Sequence, residues 1–562
     1  MVTRVTHQAS GVQLSAQAAL RLHSLPQSRE CQSDVRFRRS VQKVSTAQIN
    51  KPETFPAAAA DLDRSLVKGI AWTSAVTWFS QILSWGSTLV VLHYLVPSDY
   101  GLIGMALLYL GLVQMASDLG VGAAVLQFHT LTDDQLRQFN SVSIIAGLTC
   151  LIVSLIAARP IADFFGEQRL SMVVAVMSLN FLVTGFKVVP QALLERQLQF
   201  KKLALFEGTK SILAATANLT MAILGFGYWT LALGPLMAGT VFAFLIVSQN
   251  PVGFKLPRIA AIKEPFTFSS HMLVSRFAWY GFSNADFAVI GRVLGSAALG
   301  AYTLGWTLSG MAVEKVTALV GRVTPAFFSA VQNDMAALRR YLLSITEGLS
   351  LITFPICVGL ALIAEDVVLL AMGERWRAAI VPVQILALVA TFRSIQPLIP
   401  QVLAALRDSR RNMNNTLVTV CVLPIGFYIA TRWGIGGVAI TWLMLYPLLA
   451  SPLFVRVFRT IGLPVRSYID ALIPATSSCL VMAGVVTLVD VAFTGGPSYM
   501  LLVAKILAGA ATYAGSLLVL HRQRVLLLRD LLRLLRTGKA APVVARAVTE
   551  PDPGLQPVGA TV

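Results

Sequence analysis

Charged residues standing inside apolar runs are where this chain has chemistry to offer. Arg276 lies well inside one such run, and Trp279, Tyr280, Ser283 and Asn284 follow it on one helical stripe. A cation flanked by aromatics and an amide is a surface for a phosphate and for sugars. The next run carries Glu314, Lys315 and Arg322. Lys315 and Arg322, seven residues apart, share a face and form a second cationic lining opposite Arg276. Arg393 is a third cation of the same kind, and Asp286 and Asp118 are the acids suited to handling a proton or sodium ion. Each has a plainer reading beside the chemical one. Arg276 pairs with an acid or snorkels to an interface, as Lys68 and Lys210 do at helix ends. Glu314 or Asp286 neutralises Lys315, Arg322 lies near an interface, and Asp286 bridges to Arg276, Arg292 or Lys315.

The elements that must hold these residues follow from composition. Of 562 residues, 56% are hydrophobic and 13% charged, with a mean hydropathy of +0.70. Soluble domains carry about 25% charge, so most of this chain cannot face water. Apolar spans are predicted at 66–94, 98–126, 140–158, 171–190, 203–224, 229–248, 268–291, 297–328, 342–363, 380–405, 415–431, 434–457, 469–491 and 499–520. The fold class is therefore all-α, a polytopic membrane protein of about fourteen transmembrane helices. With the N-terminus placed in the cytoplasm, sixteen Lys and Arg fall on the cytoplasmic side and six on the other. Lys187 is counted among the sixteen. The bias follows the positive-inside rule and puts both termini in the cytoplasm of an inner-membrane protein.

The net charge of +18 is accounted for by these loops and tails, so no nucleic-acid partner is expected. The five cysteines are scattered, and no metal-ligand spacing appears among Cys and His. Residues 1–60 read as a disordered cytoplasmic tail, or as upstream sequence, since no Met follows Met1 before Met105. The segment 521–562 reads as a basic amphipathic helix, with Arg529, Arg533 and Arg536 near one face, and a disordered tail.

The two halves match each other. LVPSDYGLIG at 95–104 pairs with LGSAALGAYT at 294–303, around Gly101 and Gly300. FGEQR at 165–169 pairs with MGERW at 372–376, and VVPQALLERQLQFKK at 188–202 with LIPQVLAALRDSRRN at 398–412, with Pro190 and Pro400 in register. Six helices per unit is an even number, so the repeats run parallel, related by an axis along the membrane normal. Expected domains are a six-helix bundle at 61–264, a second at 265–462, and two additional helices at 463–520. Two parallel bundles imply a central cleft and alternating access.

The stretches NADFAVIGRVLGSAALGAYTLGWTLSGM (284–311), GRVTPAFFSAVQNDMAALRRYL (321–342) and KGIAWTSAVTWFSQILSWGSTLVVLHYLVPSDYGLIGM (68–105) resemble the bacterial polysaccharide flippase family. This is a branch of the superfamily that also holds multidrug extruders and the lipid II flippase. The resemblance implies translocation of a polyprenyl-diphosphate-linked oligosaccharide for exopolysaccharide, capsule or lipopolysaccharide assembly. It implies membrane lipids, and a polysaccharide polymerase with export machinery, as partners, and no cofactor beyond H+ or Na+ coupling. On that reading Arg276, Lys315, Arg322, Arg393, Trp279, Tyr280 and Asn284 line the cationic path, and Asp286 and Asp118 are the coupling acids.

Three rivals remain open. An ion-coupled multidrug extruder should carry an acid in its first helix, and 66–94 has none. The lipid II flippase shows arginines in its first two helices, where this chain has only Lys68. A polymerase needs a long periplasmic loop, and an acyltransferase a positioned histidine; the loops here are short and His93 and His271 are isolated. No enzymatic activity is expected.

Overall fold

The computed structural model describes residues 79–80, 83–117, 120–127, 131–256, 280–281, 283–493 and 498–522. Arg276, Trp279, Asp118, the tail at 1–60, and the amphipathic segment beyond Arg522 lie outside them. All regular structure among the described residues is helical. The N-terminal half holds α1 (residues 83–94), α2 (Pro97–Ser117), α3 (Val121–Gln127), α4 (Asp133–Phe165), α5 (Arg169–Arg196), α6 (Phe200–Ile223) and α7 (Trp229–Gln249). The C-terminal half holds α8 (Ala285–Val293), α9 (Gly295–Ala330), α10 (Met335–Leu362), α11 (Ala364–Met372), α12 (Ile380–Ile395), α13 (Leu398–Ala405), α14 (Ser409–Ala430) and α15 (Gly434–Ile461). Two further helices, α16 (Val465–Ala492) and α17 (Tyr499–Leu520), are the last among the described residues.

Nine helical stretches of the described residues are long and apolar enough to cross a membrane. The long helices α6 and α9 fall short of that test. Both carry charge inside the span: Lys201, Lys202, Glu207 and Lys210 in α6, and Glu314, Lys315 and Arg322 in α9. Many helices outrun the predicted spans. The 33 residues of α4 measure about 50 Å at 1.5 Å per residue, against roughly 30 Å of hydrocarbon. Its start lies in a polar capping box, in which the Thr132 side chain accepts from the Gln135 N–H and Gln135 accepts from the Thr132 N–H. Hydropathy marks only the buried middle of such a helix, which is why the predicted ends fall short.

The halves repeat each other in packing and in backbone detail. In the first, α5 packs against α2, α4 and α7, and α6 packs against α7. In the second, α12 packs against α9, α10 and α15, and α14 packs against α15. The turn from α5 to α6 places Leu198 in the left-handed region (φ 56°), and the turn from α13 to α14 does the same with Arg407 (φ 59°). In both, the amide after the left-handed residue donates to a carbonyl five residues back, Gln199 to Leu194 and Asp408 to Leu403. That conformation costs a side-chain-bearing residue about 1–2 kcal/mol, so its presence at both sites reflects a shared constraint. The matched acids Glu167 and Glu374 each hold a nearby arginine, though not a matched one: Arg169 within FGEQR, and Arg377 just beyond MGERW.

The halves meet where α2 crosses α9. A Cβ placed on Gly101 would stand 1.7 Å from the Ser296 carbonyl oxygen, and one on Gly300 would stand 1.7 Å from that of Pro97. The contact is reciprocal between matched residues, as a two-fold relation requires. Two glycines let the backbones touch, the device by which membrane helices associate without a hydrophobic drive between them. The seam is reinforced by Trp376, fully buried, whose indole N–H donates to the Leu92 carbonyl at 3.1 Å.

The additional pair α16–α17 packs on α10 and α11 of the second half. Lys505 of α17 reaches Asp366 of α11 at 2.5 Å and also pairs with Asp490. Lys505 and Asp366 are both buried. A buried pair of this kind fixes register more than it adds stability.

Candidate functional site

The helix carrying Arg393 ends two residues after it. Pro397 has no N–H to give, and its ring would meet the carbonyl of Arg393 four residues back, so α12 stops at Ile395 and resumes as α13 at Leu398. Broken helices are tolerated at membrane depth where they line a cavity. Here the break borders a cavity of about 620 Å³ inside the second half.

Five elements supply its wall. Ser283 and Asn284 come from the start of α8, Trp306 and Glu314 from α9, and Arg393 and Gln396 from the break. Asn412 and Asn415 come from α14, and Trp442 and Tyr446 from α15. The Arg393 guanidinium lies over the Trp306 ring, 4.0 Å from its centroid. That stacking orients a planar cation and leaves its N–H edge free to donate. Trp306 is 5.5 Å from Trp442, and Trp442 is 5.1 Å from Tyr446, centroid to centroid. The lining thus combines three aromatic rings, four carboxamides, one cation and one acid.

Asp286 stands behind this wall and is fully buried. Its Oδ2 accepts from the Tyr302 hydroxyl at 2.7 Å and from the Trp442 indole N–H at 2.8 Å. Through the second bond it fixes the ring that forms the cavity wall. Its Oδ1 is buried with no hydrogen-bond partner among the described residues.

The structure brings together only part of the predicted constellation. Arg393 and Asn284 face the cavity. Tyr280 does not, because its hydroxyl donates to the Leu108 carbonyl of α2 at 2.9 Å and ties the two halves. Lys315 and Arg322 are exposed and stand outside the cavity wall. The residue of that group which faces inward is Glu314, about 100° around the helix from Lys315. No bridge joins Asp286 to Arg292 or Lys315. Arg292 instead donates to the Phe164 carbonyl.

Trp306, Gln396, Asn412, Asn415, Trp442 and Tyr446 were not singled out from sequence. A signal existed for α14: Asn412, Asn415, Thr416 and Thr419, all lining the cavity, follow the i, i+3, i+4, i+7 spacing of one helical face.

Known structures share this architecture. The lipid II flippase MurJ in an inward closed conformation aligns with a TM-score of 0.62 at 15% identity, covering 81% of this chain and 99% of that one. An inward-facing multidrug resistance MATE family transporter aligns at 0.57 and 15% identity, covering 68% and 94%. Fold and helix composition together define a multi-pass helical membrane protein. A family model described as "Polysaccharide biosynthesis protein" matches residues 90–381, and the chain belongs to that family. Among its relatives, the lipopolysaccharide biosynthesis protein WzxC of Escherichia coli is 23% identical over 73% of this chain and 85% of its own length. The teichuronic acid biosynthesis protein TuaB of Bacillus subtilis is 25% identical over 59% and 69%. An uncharacterized membrane protein in the cps region of Klebsiella pneumoniae is 24% identical over 67% and 79%.

Proposed function

We propose that this chain is a flippase that carries a polyprenyl-diphosphate-linked oligosaccharide across the inner membrane by alternating access, with no catalytic activity of its own. The observation that carries this reading is the cavity of the second half, where Arg393 lies over Trp306 among carboxamides and further aromatic rings. Rings offer faces to sugar C–H groups, carboxamides exchange hydrogen bonds with hydroxyls, and a stacked guanidinium meets an anion. Kinship with WzxC and with the succinoglycan biosynthesis transport protein ExoT of Rhizobium meliloti supports it. In this reading both termini are cytoplasmic, the product feeds a polysaccharide polymerase and export machinery, and proton or sodium coupling falls to Asp286.

The test uses proteoliposomes with a short-chain polyprenyl-diphosphate oligosaccharide in one leaflet. Its arrival in the other is followed for wild type and for Arg393→Ala. Transport by wild type that slows by about tenfold or more in the variant is expected. Proton-driven efflux of cationic dyes, with no glycolipid movement, would replace this reading by the multidrug extruder.

A further inference from the structure

The wall of the second-half cavity has kept much of its hydrogen-bonding capacity. The carboxamides of Gln396, Asn412 and Asn415 and the carboxylate of Glu314 line it, and among the described residues none of these four side chains has a hydrogen-bond partner. The hydroxyls beside them are half spent. Those of Thr317, Thr416 and Thr419 donate to the carbonyls of Val313, Asn412 and Asn415 in their own helices, so each offers the cavity only lone pairs. Glu314, when ionised, also only accepts. Gly310 in the same wall gives it room, because a Cβ there would stand 3.0 Å from the Glu314 Oε1. Along α9 and α14 the wall therefore holds more acceptors than donors.

The first half has a cavity at the equivalent place, of about 400 Å³. Ser84 lines that one and Ser283 the other, 199 residues apart as Gly101 and Gly300 are. Its α6 face carries Glu207, Lys210 and Ser211 at the spacing of Asn412, Asn415 and Thr416 on α14. An uncharged polar face on this helix thus belongs to the second half alone, and the shared packing does not require it. Among the described residues, the charged groups lining the second cavity are one cation, Arg393, and one acid, Glu314.

We infer that this cavity is a subsite for neutral sugar rings of the lipid-linked glycan, and that Glu314 is the specificity-determining residue that turns acidic sugars away. The inference rests on the flippase reading above and names the class of glycan. A neutral sugar brings hydroxyls, which donate as well as accept, and a face of C–H groups. The hydroxyls pair with Glu314, the threonine oxygens and the carboxamides. The C–H face lies against the corner made by Trp442 and Tyr446, whose planes stand 73° apart. A uronic acid brings a carboxylate, which only accepts, and sets acceptor against acceptor and charge against the charge of Glu314. Arg393, over Trp306 at the helix break, is the one cation of the described lining. The diphosphate of the carrier occupies it, and an acidic sugar finds no second.

The experiment is calorimetric titration of the purified full chain in lipid nanodiscs with two synthetic ligands. One is farnesyl diphosphate linked to cellotriose; the other is the same molecule with each glucose replaced by glucuronic acid. Wild type should bind the neutral ligand at least about tenfold more tightly. Glu314→Gln, which keeps the shape and removes the charge, should narrow that preference to within about threefold, and Glu314→Asp should retain it. The ratio of two ligands on one sample does not depend on the fraction of folded protein. Asn412→Ala/Asn415→Ala should weaken the neutral ligand by at least about tenfold. Four outcomes overturn the inference: no binding of the neutral ligand, equal or tighter binding of the acidic one by wild type, a preference unchanged in Glu314→Gln, or full binding by the asparagine double variant. Movement of both ligands between leaflets is followed in proteoliposomes made from the same samples. Movement by wild type without a binding preference removes the subsite and keeps the flippase. A preference that follows Glu314, without movement, keeps the subsite and removes the flippase.

Discussion

In the first half Lys187 and Lys210 share the ring of Phe242; at the corresponding place in the second half, Trp306 and Trp442 stand beside Arg393. Around these cavities the helices pack in the same pairs and turn on the same left-handed residues. Architecture and lining therefore answer to different constraints. The packing rests on small residues, apolar faces and turns, which tolerate no change of shape. The lining consists of a few polar positions on those helices, which change freely because they touch space.

Substitutions at four places break or sharpen this comparison. The largest effect is expected at the seam the halves share. Gly101→Leu drives a side chain into the Ser296 carbonyl and should cost more than about 3 kcal/mol. Gly300→Leu should match it, because the contact is reciprocal. Thermal unfolding in nanodiscs measures both, and a mild effect at either would show that the halves do not meet there.

Next is the asymmetric part, the helix pair that only the second half carries. Lys505→Met leaves Asp366 buried beside α17 without its cation and should destabilise by about 3–5 kcal/mol. Adding Asp366→Leu should return most of that loss. If the double variant is no more stable than the single one, the pair does not act as a unit.

A smaller effect is expected at Asp286→Asn, an amide that can still accept from Tyr302 and Trp442. Stability should fall by about 1–2 kcal/mol. Transport should cease to respond to an imposed proton or sodium gradient. A response of wild-type size would remove Asp286 from coupling.

The smallest effect belongs to Lys315→Gln and Arg322→Gln, which lie outside both cavities. Stability should move by less than about 0.5 kcal/mol, and glycolipid movement should stay within about twofold of wild type. A loss comparable to that of Arg393→Ala would return these residues to the path.

The sequence was most informative where a signal is carried along a helix and least where it depends on what stands across from it. Lys315 and Arg322 were rightly placed on one face of α9, but that face is not the one bordering the cavity. Helical spacing identifies faces without saying which partner each face meets. Lys187 was counted with the loop charges and Lys210 taken as an anchor at a helix end, although the predicted spans 171–190 and 203–224 contain both. The structure runs α5 to Arg196 and starts α6 at Phe200, and the two lysines fall inside them. Glu207, Lys210 and Ser211 share one face of α6 by spacing alone, but only the structure shows the cavity that this face borders.

By itself the sequence determined that the chain lives in a membrane as a helical protein, since 13% charge in 562 residues leaves no other solvent for it. It also determined the parallel repeat, because matched segments in one order survive drift wherever a turn or a close contact restricts the residue. It named Arg393 and Asn284, because an ionisable or amide group inside an apolar run is costly and stands out. Only the tertiary structure decided that Gly101 touches its partner's half through Ser296, that Trp442 is held by Asp286 from behind, and that two lysines meet over Phe242. These are contacts between helices distant in sequence, set by how faces pack in three dimensions, and no one-dimensional period encodes them.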